Sequence, residues 1–305
     1  MLDNNEIKSN RNYKYTYCFC VSGHLGYLVL RYLNSQNLPI SLVLTDSNSV
    51  EIIEYCLDNE IVCFKGNPRN GKALAYIDCN KLSFDILLSV NYLFIIESDL
   101  INKAKLHSIN IHGSLLPKYR GRCPNVWAII NGESIEGITA HHITELCDEG
   151  DIIKQISLPI SDEATGYDLL VRAYDYYPKW TYELVIDIES GNFKSFSQDQ
   201  TKATFFGKRT PADGQINWNW QKERIRNWVR AQAQPYYPGA FSSINGEKII
   251  INKISYSDLG YSWDMPNGLV VNIQSTRPLV KTPNGVVALE DYIFENPIVE
   301  GNILK

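Results

Sequence analysis

Short apolar segments alternate with amphipathic ones over the first hundred residues. Runs rich in β-branched and aromatic residues predict strands at Tyr15–Val21, Ile40–Thr45, Ile61–Phe64 and Asp85–Val90. Between them, apolar positions that recur at helical spacing predict helices at Gly23–Leu33, Ser49–Leu57 and Gly71–Lys81. Strands that alternate with helices predict an α/β fold, a Rossmann-like, doubly wound and mostly parallel sheet with helices on both faces.

The pattern changes after residue 205. A helix is predicted at Gly166–Asp187, and Pro178 is expected to kink or split it. Glycine and proline then cluster near residues 207–214, and a linker helix follows at Lys222–Gln232. Short β-rich segments separated by turns come last. We therefore expect a polar N-terminal extension at 1–14, an α/β domain at 15–205, and a linker helix with a smaller β-rich domain at 206–305.

Composition narrows the protein class. The chain has 305 residues, 44% of them hydrophobic, with 29 Lys+Arg against 34 Asp+Glu and a net charge of −5. This composition excludes a disordered chain and disfavours binding of nucleic acid through bulk charge. Residues 1–14 lack the apolar core of a signal peptide, and no apolar run could span a bilayer. Seven cysteines without a CxxC pair indicate reduced thiols, so we expect a cytoplasmic protein without a structural zinc site.

Polar side chains that could carry chemistry lie near residue 110. Asn110 and His112 are two residues apart, so they share one face of the predicted strand, while Ile109 and Ile111 face the opposite side. Open α/β sheets bind ligands at the carboxyl ends of their strands. Further along, four acidic residues surround Gly150, and taken alone they fit a solvated acidic turn. By contrast, the turn after the first strand carries only Gly23 and Gly26 of a dinucleotide-binding fingerprint.

The order of three motifs resembles one family. The stretch NIHGSLLPKYRG at 110–121 is followed by DEGDII at 148–153, and both are similar to motifs of the N10-formyltetrahydrofolate-dependent formyltransferases. The resemblance extends to ILLSVNY at 86–92 and to GITAH at 137–141. It implies a formyltransferase catalytic domain, N10-formyltetrahydrofolate as cosubstrate and no metal. It also implies a catalytic trio of Asn110, His112 and Asp148.

These three residue types suit formyl transfer. The side-chain amide of Asn110 could donate to the oxyanion that forms when an amine attacks the formyl carbon. An imidazole can take and return protons near neutral pH, and Asp148 could orient it, stabilise its charged form or hold a relaying water. The resemblance further implies a folate site formed by Val90, Asn91, Tyr92, Leu146, Cys147 and Glu149. It implies a substrate-side loop formed by Ser114, Lys118, Tyr119, Arg120 and Gly121.

The C-terminal third bears on the acceptor. Residues 206–305 contain 11 basic and 9 acidic side chains, without the basic stripe expected of a tRNA-binding module. The motifs RTPADGQINW at 209–218, VRA at 229–231 and PGAF at 238–241 resemble sugar-nucleotide N-formyltransferases. That similarity implies a nucleotide-linked acceptor, favouring dTDP-4-amino-4,6-dideoxyglucose or its epimer, for O-antigen and other surface polysaccharides such as lipopolysaccharide.

Several alternatives stay open. A methionyl-tRNA formyltransferase shares parts of the C-terminal motifs, and a formyltetrahydrofolate hydrolase could use the same trio with water as nucleophile. The aromatic side chains of the C-terminal third could stack on a nucleotide base, fill the core, or form the contact of a homodimer. No membrane partner is expected.

Overall fold

The structure is a computed structural model that describes residues 11–305. The predicted polar extension therefore lies mostly outside the described residues. The chain forms two compact units. The first contains the described residues up to Arg120 together with Gly137–Ser157 and Arg172–Phe205. The second contains Gly121–Glu136, Leu158–Val171 and Phe206–Lys305.

Over the first hundred residues strands and helices alternate as the sequence pattern predicted, and further strands and helices follow up to residue 190. The strands are β1 (Tyr17–Val21), β2 (Ile40–Thr45), β3 (Cys63–Lys65), β4 (Ile86–Val90), β5 (His107–His112), β6 (Arg120–Gly121), β7 (Ile135–His142) and β8 (Ile152–Pro159). The helices are α1 (Gly23–Ser35), α2 (Val50–Asp58), α3 (Lys72–Cys79), α4 (Ser98–Ile101), α5 (Pro124–Ile130) and α6 (Gly166–Ser190).

Seven strands form one sheet in the order β3-β2-β1-β4-β5-β7-β8. Strands β1 to β5 are parallel, and β7 runs antiparallel to β5. The predicted doubly wound, mostly parallel sheet is confirmed. The strand order reverses between β1 and β4, and this switch point is where such sheets form a ligand crevice. There, Asn91 Nδ2 donates to the carbonyl oxygen of Ser22 at 2.9 Å.

Cys18 and Cys20 belong to an apolar cluster on one face of this sheet. Both thiols are 0% exposed and pack with Leu42, Leu44 and the buried side of α3. The two cysteines lie on the same face of β1, as alternation along a strand requires. All seven cysteines are free.

Helix α6 differs from its prediction. It runs for 25 residues with Pro178 inside it, so the expected split is absent, and the expected kink stays a prediction. A proline costs a helix one backbone hydrogen bond and a steric clash. Here Tyr177 and Trp180, on either side of the proline, are 5% and 4% exposed, so burial of large aromatic side chains offsets that cost.

The second unit has an antiparallel sheet as its main element. After the short β9 (Phe205–Phe206), its elements are α7 (Lys222–Ala231), β10 (Ala240–Ile244), β11 (Glu247–Ser257), β12 (Val270–Gln274), β13 (Arg277–Thr282) and β14 (Gly285–Ile293). The five strands β10 to β14 pair in the order β10-β11-β14-β13-β12. The expected β-rich module is therefore present.

Helices α5 and α7 pack on each other and on this sheet through one apolar core. Within that core, the indole of Trp218 donates to Ser242 Oγ at 2.9 Å. In residues 11–305, no helix is both long and apolar enough to cross a membrane.

Candidate active site

Strand β5 carries two of the three predicted catalytic residues to the carboxyl edge of the first unit's sheet. Asn110 and His112 lie on the same face of this strand, and Ile109 and Ile111 are buried on the other. His112 is the last residue of the strand, and its backbone is positioned by pairing with Thr139 of β7, while β4 pairs with β5 as far as Ile111. The side chain of His112 is only 8% exposed.

Asp148 reaches the same place from a tight turn between β7 and β8. Its backbone adopts a left-handed conformation, with φ of +56°. Gly150 follows, and a Cβ at that position would lie 1.9 Å from the carbonyl oxygen of His142. A glycine is therefore required for this close approach of two backbone segments. The turn places the Asp148 carboxylate, 9% exposed, against the imidazole of His112.

The three predicted catalytic side chains are within contact distance of one another. Asp148 Oδ2 lies 3.6 Å from Nδ1 of His112. The other carboxylate oxygen, Oδ1, accepts a 3.4 Å hydrogen bond from Asn110 Nδ2. One carboxylate thus faces both the predicted base and the predicted oxyanion donor. The structure brings an acid, an amide and an imidazole together. In the sequence, Asp148 follows His112 and Asn110 by 36 residues or more.

The hydrogen bonding of His112 determines which nitrogen can accept a proton. Nε2 lies 2.8 Å from the carbonyl oxygen of Tyr119, which can only accept, so Nε2 carries a hydrogen. In the neutral ring Nδ1 therefore has the free lone pair, and it faces Asp148. Burial lowers the pKa of His112, and the Asp148 carboxylate and the Tyr119 carbonyl act in the opposite direction. His112 is thus suited to accept a proton at Nδ1 beside a compensating negative charge.

His141 is a fourth member of this cluster, and the sequence reasoning assigned it no role. Antiparallel pairing of β5 with β7 sets Asn110 opposite His141. The ring donates from Nδ1 to the carbonyl of His142 at 2.8 Å, so Nε2 accepts from Asn110 Nδ2 at 3.2 Å. The same Nε2 lies 3.5 Å from Asp148 Oδ1. His141 thereby restrains the amide of Asn110, and only the strand register, which the sequence does not show, could have revealed this.

His142 points away from the trio. Its ring packs at a tilted angle against His107 and Phe193 on the other side of the sheet. The two adjacent histidines of β7 therefore belong to different environments, as alternation along a strand requires.

The predicted substrate-side loop is firmly attached within its unit. Ser114 Oγ donates to the carbonyl of Lys118 at 2.7 Å, and the side chain of Lys118 is exposed. Tyr119 has a φ of +61°, and its N–H donates to Thr204 Oγ1 at 2.8 Å. Arg120 is 0% exposed, so its guanidinium is enclosed by protein. Gly121 belongs to the second unit, where a Cβ would lie 2.3 Å from the carbonyl oxygen of Phe206.

The residues predicted for the folate site occupy two segments of the first unit. Val90 is buried at the end of β4, Asn91 is exposed with φ of +54°, and Tyr92 is half-buried. The hydroxyl of Tyr92 is buried and has no hydrogen-bond partner among the described residues, and burial raises its pKa.

The second segment is the turn that carries Asp148. Leu146 is 63% exposed, and the thiol of Cys147 lies 3.4 Å from Asp148 Oδ2. Glu149 pairs with Nη1 of Arg120 at 3.2 Å. Within residues 11–305, no group of three or more His, Cys, Asp or Glu side chains could hold a metal ion.

A known protein is similar to most of this chain. The chain is 35% identical over 246 residues to the bifunctional polymyxin resistance protein ArnA of Wigglesworthia glossinidia brevipalpis. That match covers 76% of this chain and 37% of the relative, so the chain spans little more than a third of that protein.

Two solved structures share the fold. WlaRD, described as a sugar 3N-formyl transferase in the presence of dTDP and 5-N-formyl-THF, matches with a TM-score of 0.68 and 21% identity over 91% of this chain and 98% of WlaRD. An N-formyltransferase from Helicobacter canadensis, in complex with folinic acid and dTDP-3-aminofucose, matches with a TM-score of 0.64 and 21% identity, covering 90% of this chain and 98% of that one.

Family models match both parts of the chain. Residues 22–185 match the formyl transferase model, and residues 208–298 match the model of the formyl transferase C-terminal domain. The first match alone includes β2 to β8, Asn110, His112 and Asp148. The chain belongs to the formyl transferase family.

Proposed function

We propose that this protein transfers a formyl group from N10-formyltetrahydrofolate to the amine of a nucleotide-linked amino sugar. The observation that carries the proposal is the buried cluster in which Asp148 faces both Nδ1 of His112 and the amide of Asn110. Such a cluster is suited to an acyl transfer in which an amine loses a proton and an oxyanion forms. Membership in the formyl transferase family supports formyl as the group transferred.

The residues divide the reaction between them. The cosubstrate supplies the formyl carbon, the acceptor amine forms the new C–N bond, and the folate nitrogen leaves with a proton. His112 takes the amine proton at Nδ1 and returns it to the leaving folate nitrogen, and Asp148 stabilises the charged ring in between. A base of this kind is worth about 10²–10⁴-fold in rate.

Asn110 is the proposed oxyanion donor. Its two amide hydrogens face His141 at 3.2 Å and Asp148 at 3.4 Å. The hydrogen that faces Asp148 makes the longer contact, and we propose that it is shared between Asp148 and the developing oxyanion. One such donor is worth about 10²–10³-fold. The hydrogen bond to His141 keeps the amide plane fixed while the other hydrogen acts.

The described residues fit a folate in two respects. The unpartnered hydroxyl of Tyr92 could be satisfied by a polar group of a ligand, because a buried hydroxyl without a partner costs about 1–3 kcal/mol. The exposed side chain of Leu146 offers an apolar surface two residues before Asp148. We propose that Val90–Tyr92 and the turn at Leu146–Glu149 hold the cosubstrate.

The identity of the acceptor sugar is a further part of the proposed function. The solved relatives include a protein bound to dTDP-3-aminofucose and another crystallised with dTDP. Together with the nearly neutral residues 206–305, these relatives support a dTDP-linked sugar. We propose a 4-amino-4,6-dideoxyhexose, for surface polysaccharide synthesis, and the 3-amino isomers of the relatives are the competing acceptors.

A formyl-transfer assay tests the proposal. The protein would receive N10-formyltetrahydrofolate with dTDP-linked 4-amino or 3-amino sugars or with methionyl-tRNA, and product mass and tetrahydrofolate release would be followed. We expect a formylated 4-amino sugar, which His112→Ala abolishes and His107→Ala, at the opposite end of β5, does not.

Other outcomes would redirect the assignment. Formylation of only a 3-amino sugar would correct the acceptor carbon, and formylated tRNA would correct the acceptor class. Tetrahydrofolate release without any amine would indicate a hydrolase. Full activity in His112→Ala would remove the proposed mechanism.

A further inference from the structure

Gln198 is a buried polar residue that touches the Asp148 turn, and neither the sequence motifs nor the proposed chemistry assigns it a role. It is 7% exposed and belongs to the segment after α6. Phe196 and Ile152 exchange backbone hydrogen bonds at 2.9 Å and 3.0 Å, which brings this segment alongside the start of β8. Gln198 is thereby carried to the inner side of the turn.

The side-chain amide of Gln198 joins two parts of the site. Nε2 donates to the carbonyl oxygens of Asp148 at 2.8 Å and Gly150 at 2.7 Å. Oε1 accepts from Nε of Arg120 at 3.2 Å and from Nη2 at 2.7 Å. Guanidinium groups only donate and carbonyl groups only accept, so the chemistry of the partners fixes which end of the amide faces which.

Arg120 completes the arrangement. It is 0% exposed, its Nη1 lies 3.2 Å from Glu149 Oε1, and its guanidinium lies over the ring of Phe205. Arg120 and Gln198 thus contact all three residues of the turn, Asp148, Glu149 and Gly150. Its backbone N–H donates to the carbonyl of Thr204 at 2.9 Å, which fixes the other end of the network.

The hydrogen bonds of Gln198 restrain the Asp148 turn, whose backbone conformation is unfavourable and whose carboxylate must stay in place. Asp148 has a φ of +56°, a conformation that costs a non-glycine residue free energy and persists only where the surroundings impose it. Its carboxylate must be kept close to Nδ1 of His112, and a shift of about 1 Å in such a group can cost about 10²-fold in rate. Two hydrogen bonds to the carbonyl groups on either side of Glu149 oppose that shift.

We propose that Gln198, oriented by Arg120, is a positioning residue that holds the Asp148 turn in its reactive geometry. The inference rests on the proposed function, because it assigns the turn's purpose through the pairing of Asp148 with His112. Gln198 touches no reacting atom and acts only through Asp148. It is therefore distinct from the catalytic residues.

The replacement Gln198→Glu tests the donor function with almost no change in shape. A carboxylate in this place still accepts from Arg120, and pairs with it more strongly, so the residue remains anchored. It has no hydrogen to donate to the two carbonyl oxygens and repels them. We expect kcat to fall about 10–100-fold. Gln200→Glu, the same substitution at an exposed position two residues away, should leave kcat unchanged.

The replacement Gln198→Met separates positioning from stability. It removes both sets of hydrogen bonds without adding charge, so Asp148 is released and burial of His112 acts with less opposition. The pKa of His112 then falls further, and the acidic limb of the pH profile of kcat/KM moves to lower pH. Thermal unfolding of each variant would be measured together with the kinetics, to determine the fraction of enzyme that is folded.

Three results would overturn the inference. Wild-type kinetics in both Gln198 variants would show that the turn needs no such restraint. Activity lost only in proportion to folded protein, with an unmoved acidic limb, would show a purely structural role. Full activity in His112→Ala would show that the trio which Gln198 is proposed to position is not catalytic. The first result, if His112→Ala is inactive, would refute this inference and leave the proposed function intact.

Discussion

Replacing Asp148 with asparagine removes one negative charge from the site and keeps the shape of the side chain. The carboxylate lies 3.6 Å from Nδ1 of His112, and the two side chains are 9% and 8% exposed. Asparagine can still occupy the turn and contact Asn110. It carries no negative charge to compensate an imidazolium. The variant therefore isolates the electrostatic part of the proposed mechanism.

The distance sets the size of the expected effect. Two unit charges separated by 3.6 Å attract by about 1 kcal/mol in bulk water and by about 5 kcal/mol at an effective dielectric constant near 20. Each 1.4 kcal/mol corresponds to about tenfold in rate. Since both side chains are largely enclosed, we expect kcat of Asp148→Asn to fall about 10²–10³-fold.

The assay is steady-state formyl transfer as a function of pH. Burial lowers the pKa of His112, and Asp148 opposes that shift, so the substitution lowers the pKa further. The acidic limb of kcat/KM, which reports protonation of the base in the free enzyme, should move to lower pH.

Glu145→Gln is the matched control. It removes a charge from an exposed side chain three residues away that accepts from Ser98, and it should leave both kcat and the limb unchanged. A fall in kcat of less than threefold in Asp148→Asn, or an unmoved limb, would refute the coupling of Asp148 to His112.

Three further predictions concern the turn, the pH dependence of stability and the second unit. Gly150→Ala should lower both activity and the thermal unfolding temperature, because its Cβ would lie 1.9 Å from the carbonyl oxygen of His142; unchanged kinetics and melting would show that the backbone yields there. Burial lowers the pKa of His107 and His142. The unfolded chain therefore binds more protons than the folded chain below about pH 6.5, and urea unfolding should show a lower free energy of unfolding at pH 5.5 than at pH 7.5. His107→Asn should weaken that dependence, and an equal dependence would contradict the assignment. Trp218→Phe should lower the free energy of unfolding by about 1–3 kcal/mol, because Ser242 loses a buried donor at 2.9 Å; two-state analysis of urea unfolding measures this, with Trp263→Phe, 87% exposed, as the control.

The pattern of apolar positions was enough to predict the first unit's sheet. The segment Ile40–Thr45 forms a strand with the predicted bounds, and the other predicted elements differ from the observed ones by a few residues at their ends. Helix α6 was predicted with a break that it lacks, because aromatic burial on both sides of Pro178 is a tertiary effect. Local pattern decides which element forms, and packing decides how far it extends.

The grouping of Pro124–Ile130 with the second unit has a similar cause. This short apolar helix follows β6 directly, yet it packs on α7 through residues nearly a hundred positions away. Its sequence does not show this partner. Such contacts depend on which surfaces the rest of the fold leaves uncovered.

The site shows the same division. Asn110 and His112 could be placed on one face of a strand from their spacing alone, and the strand pattern put them at a carboxyl edge where such sheets bind ligands. Asp148 was added by resemblance to a family, because its position relative to His112 depends on a turn. The roles proposed for these three residues remain predictions that the kinetic experiments test.

The amino-acid sequence by itself therefore determined the alternation of strands and helices, the shared face of Asn110 and His112, and the motifs that place the chain in its family. Only the tertiary structure showed that His141 and Gln198 contact the site. His141 meets Asn110 through the antiparallel register of β5 and β7, and Gln198 meets Asp148 across 50 residues of chain. Periodicity reports which face a residue occupies along its own element. Pairing between distant elements is set by the packing of the whole unit, and a one-residue change in register would bring different side chains together.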